Sequence, residues 1–411
     1  LIDLFIPSIH DAGNIFTQQA AISYIGSLTK GKTTYHVLQI LMNYFLPHVG
    51  DLNFRSKALY LGYIVKRVLN VYTGQEKPTD RDSYEFKRIS VSGKLIHDLF
   101  GEYYKLQQDN IYLQMDRKYL YRESRNSYQE LDFVNLFNKN FELFFQDKIV
   151  EKGFKRAFKG DWGASPHTKK PGVSQELNRL SFFGFLCQLR KTNLYISAEG
   201  AKVIGPRLLH PTQYGYLCPL HSPDGGNVGL HKHLSSSTVI TKGCSGKQFI
   251  NYLRKLKIKL LEECSLEYMK YTTKIFINGA WIGCCDEPVK ILSIMKLHRR
   301  NNMIDIYTSL AFNIKKNEIN ICTDAGRPVR PLFYMMADNK ISYERENVLS
   351  MYNKDTITWN NIIYGFGQDK NILERDCKIS ITQKSVESLV QNSAVVDYID
   401  TTEGNTLLLA Q

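Results

Sequence analysis

The sequence predicts a multidomain α+β protein with a helical N-terminal part, a loop-rich centre and small mixed α/β regions towards its C-terminal end. Three observations support this fold class. Apolar residues recur at helical spacing in the N-terminal part. Glycine, proline and aromatic residues crowd the stretch 161–235, which is typical of ordered loops joined by short elements. From about residue 274 onward, alternating apolar residues favour strands.

Length and composition narrow the class of protein. A chain of 411 residues can hold two or three domains, and 43% hydrophobic with 23% charged residues is typical of a folded soluble protein. Because the sequence has no apolar run of bilayer length and no signal peptide, we expect neither a membrane protein nor a secreted one. The eight scattered cysteines argue for a reducing compartment. The first residue, Leu1, lies within an apolar pattern, so we expect a piece of a longer protein.

The N-terminal half is predicted to be mainly helical. One amphipathic helix is predicted over Lys57–Tyr72 with Ser56 as its N-cap. Charges of both signs crowd Thr79–Phe100 ahead of a short helix, where an ion-paired structural joint is favoured over a nucleic-acid contact. Phenylalanines at helical spacing predict a packing stripe on a helix within Asn126–Lys152.

The C-terminal half is predicted to mix helices and strands. Apolar spacing predicts a helix over Phe249–Leu260, and Lys274–Gly283 is a predicted hairpin with Asn278-Gly279 as a type I′ turn. A helix at about 286–300 follows, and a further helix is expected within the tail Trp359–Gln411, ahead of its strand-like segment. The remaining predicted strands are Met303–Thr308, Glu318–Thr323 and Ala394–Asp400.

Positive charge is concentrated in the loop-rich centre. Residues 151–235 contain 12 Lys and Arg against 5 Asp and Glu, a net charge of +7 out of +13 for the whole chain. Basic residues neutralise phosphates and aromatic rings stack on bases, so this stretch suits a nucleic acid. The alternative is a solvated basic face without a ligand.

Two other kinds of site are disfavoured within His210–Leu230 and the residues that follow. Glycines at positions 225, 226 and 229 could form a phosphate cradle, but there is no GxxxxGK[ST] pattern. The spacing of the possible zinc ligands matches no standard zinc finger, and we predict no metal site in this chain; those ligands are Cys218, His221, His231 and His233.

The central motifs resemble the fork region of the second-largest, beta-type subunit of multisubunit DNA-directed RNA polymerases. The residues that carry the resemblance are Val173-Ser-Gln-Glu-Leu-Asn-Arg179, Leu189-Arg190, Pro206-Arg-Leu-Leu-His-Pro-Thr212, Gly215, Cys218-Pro219, Pro223, Gly225 and Gly229-Leu230. Motifs on either side match in the same order. They are Leu46–Gly50 and Lys57–Arg67 for the lobe, Asp80–Gly93 for the entry to the fork, and Lys274–Gly283, Thr323–Pro331 and Val396–Asp400 for the external domains.

One motif departs from the family. Related polymerases carry Glu-Thr-Pro-Glu-Gly where this chain has His221-Ser-Pro-Asp-Gly225, which loses one carboxylate and shortens the other. In this motif and in its abundance of lysine and tyrosine, the chain resembles the polymerases of large DNA viruses of eukaryotes.

The resemblance implies a domain organisation and a fold. Residues 1–78 would be part of a helical lobe, and 79–240 a loop-rich fork with short helices and strands. Two loops of the fork, at about 161–172 and 191–202, would face nucleic acid. Small mixed α/β external domains would follow at 241–345 and, in part, at 346–411.

The resemblance also implies functional residues. Arg207 would lie nearest the active centre, and Trp162 and His167 could stack beside the RNA–DNA hybrid in the first fork loop. The residues implied in contacts with nucleic acid are Trp162, Lys169, Lys170, Gln175, Asn178, Arg179, Arg190, Lys191, Lys202 and Arg207.

Catalysis is implied for the assembled enzyme only. The catalytic aspartates and Mg2+ would belong to the largest subunit, so this chain alone would be inactive, and Zn2+ is expected only in a C-terminal region beyond it. The implied partners are the largest and smaller subunits, template DNA, the RNA–DNA hybrid and ribonucleoside triphosphates. The location would be the nucleus, or a cytoplasmic viral factory or virion. The alternatives are a free-standing basic nucleic-acid-binding protein without catalysis and a structural scaffold.

Overall fold

The computed structural model describes residues 2–31, 33–124, 133–196, 202–366 and 383–410. The chain forms two compact units, one comprising residues 88–236 and the other joining 1–87 to 237–411. The mixture of helices with several small sheets confirms the predicted α+β class, whereas the domain boundaries stay predictions. Among the described residues, no helix has the length and apolar character needed to cross a membrane.

The described residues form helices and strands along the whole chain. The α-helices are α1 (Ile2–Asp11), α2 (Gln18–Leu28), α3 (Thr34–Asn43), α4 (Phe54–Tyr72), α5 (Ser92–Ser124), α6 (Phe133–Phe145), α7 (Ile149–Phe158), α8 (Phe182–Leu189), α9 (Lys247–Lys255), α10 (Leu266–Tyr271), α11 (Pro288–Arg300), α12 (Glu346–Asn353), α13 (Trp359–Tyr364), α14 (Gln383–Gln391) and α15 (Thr401–Gly404). The strands are β1 (Lys191–Asn193), β2 (His231–His233), β3 (Val239–Ile240), β4 (Lys259–Leu260), β5 (Thr273–Ile277), β6 (Ala280–Cys285), β7 (Ser309–Asn313), β8 (Glu318–Cys322), β9 (Pro328–Phe333) and β10 (Val396–Asp400).

A five-stranded sheet is the centre of the unit formed by residues 1–87 and 237–411. Its strand order is β4-β6-β5-β8-β7, and neighbours are antiparallel except for the parallel pair β5 and β8. The hairpin β5–β6 confirms the predicted turn, because Asn278 and Gly279 have the positive φ values, 49° and 85°, that a type I′ turn requires. A second antiparallel sheet has the order β10-β9-β3.

Helices cover both faces of the five-stranded sheet. Ile275 and Ile277 of β5 pack against α9 and α11 on one face. The side chain between them, Phe276, points to the other face, where its ring lies 5.4 Å from that of Tyr63 in α4. This alternation is the period of two that a strand buried on both faces shows.

Buried ion pairs join α11 to β10 and α15. Arg299 Nη1 lies 2.7 Å from Glu403 Oε2, and Arg300 Nη2 lies 2.7 Å from Asp397 Oδ2. Burial alone would raise the pKa of Asp397, but the charges of Arg299 and Arg300 hold this pKa below its usual value. The acidic residues around Val396–Asp400 therefore have a structural role in this unit.

The predicted start of α4 is wrong. The helix begins at Phe54, because Asn53 is the N-cap and its side chain accepts a hydrogen bond from Ser56 N at 3.2 Å. Lys57 is buried, and its ammonium group donates to the carbonyls of Leu41 and Phe45 at 2.7 and 2.8 Å. This lysine therefore satisfies carbonyls at the end of α3.

Hydrogen bonds join residues 80–87 to α15, whereas the ion-paired joint favoured over Thr79–Phe100 stays a prediction. Thr401 of α15 donates through Oγ1 to the carbonyl of Tyr84 at 3.0 Å, and Asn405 donates to Glu85 Oε2 at 3.2 Å. The short helix predicted after this run is much longer than expected, because α5 continues to Ser124.

The helix predicted within Asn126–Lys152 is two helices where the structure describes it, and residues 126–132 lie outside the described residues. Helix α6 ends at Phe145, and α7 begins after Lys148, whose φ of 45° is left-handed. In the predicted packing stripe Phe144 is buried, whereas Phe141 and Phe145 are partly exposed.

Two further boundaries were predicted wrongly. Strand β7 follows Met303–Thr308 instead of coinciding with it. Alternate residues of that segment, Ile304 and Ile306, are buried like those of a strand, but their backbones join no ladder of the five-stranded sheet. Helix α9 ends at Lys255 because Lys257 is left-handed with φ 63°, so Leu260 belongs to β4.

The unit of residues 88–236 combines packed helices with ordered loops. Leu99 and Tyr103 of α5 form a core with Ala157 of α7 and with Trp162. Beyond this core, β1 pairs with β2 in antiparallel register, with Lys191 opposite His233.

Candidate nucleic-acid interface

The first predicted fork loop, residues 161–172, is fastened to α5. Glu102 Oε2 accepts hydrogen bonds from Ala164 N at 2.9 Å and from Thr168 Oγ1 at 2.8 Å. Gly163 has a φ of 110°, and a Cβ placed on it would lie 2.6 Å from the Thr168 carbonyl oxygen, so only glycine fits there. The loop is therefore ordered by contacts with α5 and by the close approach of Gly163 to Thr168.

The loop exposes its basic residues and buries its tryptophan. Lys169, Lys170 and His167 are exposed, and Lys169 Nζ forms an ion pair with Asp161 at 2.9 Å. Trp162 is only 7% exposed. Its ring offers no open face on which a base could stack, and we assign this residue to the core instead of the interface.

Gln175, Asn178 and Arg179 lie exposed on an irregular segment beside α8. Gln188 of α8 holds this segment in place. Its Oε1 accepts a hydrogen bond from Asn178 N at 2.6 Å, and its Nε2 donates to the Glu176 carbonyl at 2.7 Å. Three predicted contact residues are thus presented together by one side chain that the sequence did not single out.

The second predicted fork loop is described only in part, because residues 197–201 lie outside the described residues. Arg190 Nη2 donates to the Ser235 carbonyl at 2.6 Å, so this guanidinium group fixes the backbone after β2. Lys191 is half-buried in β1, and Lys202 is exposed. Of these three predicted contact residues, Lys202 is the one with an exposed side chain.

Arg207 lies against the glycine-rich segment that follows it in sequence. Its Nη1 donates to the carbonyls of Gly226 and Val228 at 2.8 and 2.9 Å. Gly229, with a φ of 71°, passes so close that a Cβ would lie 2.2 Å from the Arg207 carbonyl oxygen. The half-buried Arg207 therefore holds the shape of this segment.

Lys232 is a buried cation that the sequence pattern did not identify. Its Nζ donates to Gln213 Oε1 at 3.0 Å and to the Pro206 carbonyl at 3.4 Å. Strand alternation in β2 points Lys232 into the protein, but nothing in the sequence marks it as an inward-facing lysine.

Cys187, His221 and His233 are brought together from three segments of the same unit. One potential ligand atom from each lies within 4.8 Å of the others. The rings of His221 and His233 are stacked with centroids 3.5 Å apart. Burial, His221 and Lys191 lower the pKa of His233, partly opposed by a hydrogen bond with the Cys187 backbone. Of the four zinc ligands considered from sequence, only His221 and His233 join this described cluster.

Comparisons with known families match most of these regions in order. The family models for RNA polymerase Rpb2 domain 2, domain 3 and domain 4 match residues 1–90, 175–240 and 275–336, respectively. The domain 4 match contains most of the hairpin β5–β6 of the five-stranded sheet.

Individual relatives extend the similarity over the whole chain. The DNA-directed RNA polymerase II subunit RPB2 of Encephalitozoon cuniculi is 32% identical over 96% of this chain and 34% of its own length. The corresponding subunit of Schizosaccharomyces pombe is 28% identical over 100% of this chain and 32% of its own length. The DNA-directed RNA polymerase III subunit 2 of Arabidopsis thaliana is 28% identical over 87% and 31%, respectively.

The chain belongs to the family of second-largest subunits of multisubunit DNA-directed RNA polymerases, and it contains Rpb2 domains 2, 3 and 4. The resemblance stated from sequence is thereby confirmed. The chain spans about a third of the length of these relatives. The viral origin stays a prediction.

Proposed function

We propose that this chain is part of a DNA-dependent RNA polymerase that synthesises RNA from ribonucleoside triphosphates, and that residues 161–232 hold the RNA–DNA hybrid and the downstream fork. The observation that carries the proposal is the match of three consecutive Rpb2 domains along one chain. The comparisons give no support to a free-standing nucleic-acid-binding protein.

The contact residues fall into two groups according to their surroundings. Lys169, Lys170, Arg179 and Lys202 are exposed and suit phosphate contacts. Gln175 and Asn178 accompany Arg179 on the segment held by Gln188 and would line the hybrid.

Arg190, Lys191 and Arg207 are more enclosed, and the two arginines donate hydrogen bonds to backbone carbonyls around the site. Arg207 would lie closest to the active centre. Because its guanidinium group holds the Gly226 and Val228 carbonyls, it acts there chiefly as a positioning residue.

The proposed reaction requires catalytic groups that we expect on the largest subunit. Mg2+ takes oxygen ligands, whereas the cluster of three potential ligands in the described residues consists of one cysteine and two histidines. That cluster does not suit Mg2+, and we expect the catalytic ion on the largest subunit. The largest and smaller subunits, template DNA and ribonucleoside triphosphates are the proposed partners, and the nucleus or a viral factory is the proposed location.

The proposal predicts that the first loop retains the hybrid electrostatically. In the assembled polymerase, Lys169→Ala with Lys170→Ala should shorten the lifetime of stalled elongation complexes. Each phosphate contact contributes about 0.7–0.9 to the slope of log affinity against log salt, so the slope should fall by up to about 2. Complex lifetime is measured over a series of salt concentrations.

A matched control removes two exposed lysines from the other compact unit. Lys255→Ala with Lys257→Ala changes the net charge equally, and both positions are exposed at the end of α9. This control should leave lifetime and slope as in the wild type. Equal effects from the two double variants would show that the first loop acts only through the net charge of the protein. No effect from either variant would show that the first loop does not contact the hybrid.

A further inference from the structure

The cluster of Cys187, His221 and His233 lies outside the proposed phosphate contacts. Cys187 is on α8, His221 is in the loop after Cys218-Pro219, and His233 is on β2. These residues are far apart in sequence, yet their potential ligand atoms lie within 4.8 Å of one another. The three segments belong to one compact unit.

A buried nitrogen in this cluster has no hydrogen-bond partner. Nδ1 of His233 is shielded from solvent and finds no partner among the described residues. A buried polar atom without a partner costs about 1–3 kcal/mol. The adjacent His221 ring is stacked face to face at an interplanar angle of 3°, which does not provide the missing bond.

We propose that Cys187, His221 and His233 bind one divalent transition-metal ion of the zinc class, which joins α8 and the His221 loop to β2. One thiolate and two imidazoles are ligands of the kind that Zn2+ takes in proteins. Three protein ligands leave a fourth tetrahedral position for water or another ligand. Binding releases the thiol proton of Cys187 to solvent.

Ion binding requires a small rearrangement. With Zn–N distances of about 2.0–2.1 Å and Zn–S of about 2.3 Å, tetrahedral ligand atoms lie about 3.3–3.6 Å apart. Cys187 and His233 are on regular elements, whereas His221 is exposed on an irregular loop. The His221 ring is therefore the ligand that can tilt out of the stack to complete the site. The site also gives a physical reason for histidine where related polymerases carry the first glutamate of the motif.

Cobalt titration of the 411-residue chain tests the proposal. Co2+ alone should bind one ion per chain, with a thiolate-to-cobalt charge-transfer band and the intense visible bands of a tetrahedral site, and Zn2+ should displace it. Cys187→Ser should abolish the charge-transfer band. His221→Asn should weaken binding by more than the roughly 10–100-fold that losing an outer-shell partner costs.

Controls keep the result interpretable. Cys218→Ser removes a nearby thiol that is not in the cluster, and it should bind Co2+ as the wild type does. His221 is exposed, so His221→Asn decides the matter if Cys187→Ser does not fold. The proposal is overturned if the wild type shows no charge-transfer band, if the band survives Cys187→Ser, or if Cys218→Ser abolishes it. None of these readouts depends on RNA synthesis, so they are separate from the test of the proposed function.

Discussion

Single residues set the shape of the segment beside Arg207. The Arg207 guanidinium group binds the carbonyls of Gly226 and Val228, and Gly229 passes directly over the Arg207 backbone. These contacts connect residues about twenty positions apart into one interlocked group. Its geometry depends on the absence of a side chain at Gly229.

Substitution of Gly229 should open this segment. Gly229→Ala adds a Cβ that would lie 2.2 Å from the Arg207 carbonyl oxygen, at a φ of 71°. The left-handed conformation alone costs about 1–2 kcal/mol for a residue with a Cβ, so residues 205–230 should lose about 2 kcal/mol or more of local stability. Amide hydrogen exchange measures this loss.

Gly226→Ala is the matched control, because its Cβ would meet no atom within 4 Å. Exchange rates in this variant should stay near those of the wild type. Unchanged protection in Gly229→Ala as well would contradict the interlocked arrangement. Arg207 and the glycine-rich motif could both be identified from sequence. Their mutual contact could not, because no local pattern encodes a close approach between distant backbones.

Two helices of the unit 88–236 owe their close approach to a glycine. Gly153 of α7 is buried, and a Cβ on it would lie 2.5 Å from the ring of Tyr103 in α5. Tyr103 is itself buried among Leu99, Ala157 and Trp162. The first fork loop begins directly after α7, so this helix contact also determines where the loop starts.

Gly153→Ala should therefore destabilise the helix pair. Overpacking a filled core costs about 1–3 kcal/mol, which exceeds the gain in helix propensity of up to about 1 kcal/mol. Urea unfolding of the chain measures the difference. Gly101→Ala, on α5 where a Cβ meets nothing within 4 Å, should instead stabilise by up to about 1 kcal/mol. Stabilisation by both variants would show that the Tyr103 ring can move aside without loss of stability.

The elements that could be predicted are those with strong local signals. The Asn278-Gly279 turn and the helix Pro288–Arg300 agree with their sequence patterns. The segment Met303–Thr308 does not. The alternating apolar residues of this segment reflect the burial of Ile304 and Ile306. Such a pattern of burial arises whether or not the backbone pairs with a neighbouring strand. Pairing depends on distant residues, which a local pattern does not reveal.

At the scale of the whole molecule, buried charges join segments that are about a hundred residues apart in sequence. Arg299 binds Glu403, and Asp397 is bound by Arg300. Motif order along the chain indicated the family and with it the α+β architecture. These pairings could not be predicted, because acidic and basic residues are common along the chain and only the fold selects the partners.

Neutralising Asp397 should lower stability in a pH-dependent way. Removal of one partner from a buried ion pair costs about 3–5 kcal/mol, so Asp397→Asn should lose about that much at pH 7. The folded-state pKa of Asp397 is lowered. Its stabilisation is therefore complete above the unfolded value of about 3.9 and is lost as the pH falls through the folded value. Urea unfolding at several pH values should show the gap between variant and wild type closing below about pH 4.

Glu287→Gln is the control for this prediction. Glu287 pairs with Lys290 at 3.0 Å near the start of the same helix, α11, where both side chains are largely exposed. Exposed pairs contribute little. A gap of equal size in both variants, or a gap for Asp397→Asn that does not change with pH, would contradict the role assigned to Asp397.

The discontinuous unit has a consequence for synthesis on the ribosome. Residues 1–87 complete their unit only with residues 237–411, and the hydrogen bond between Thr401 and Tyr84 spans 317 positions. At about 5–20 residues per second, translation of the intervening stretch 88–236 takes about 7–30 s. During that interval the apolar faces of the early helices have no sheet to cover them. We therefore expect chaperones to bind the exposed apolar helices of the nascent chain until β5 has been synthesised.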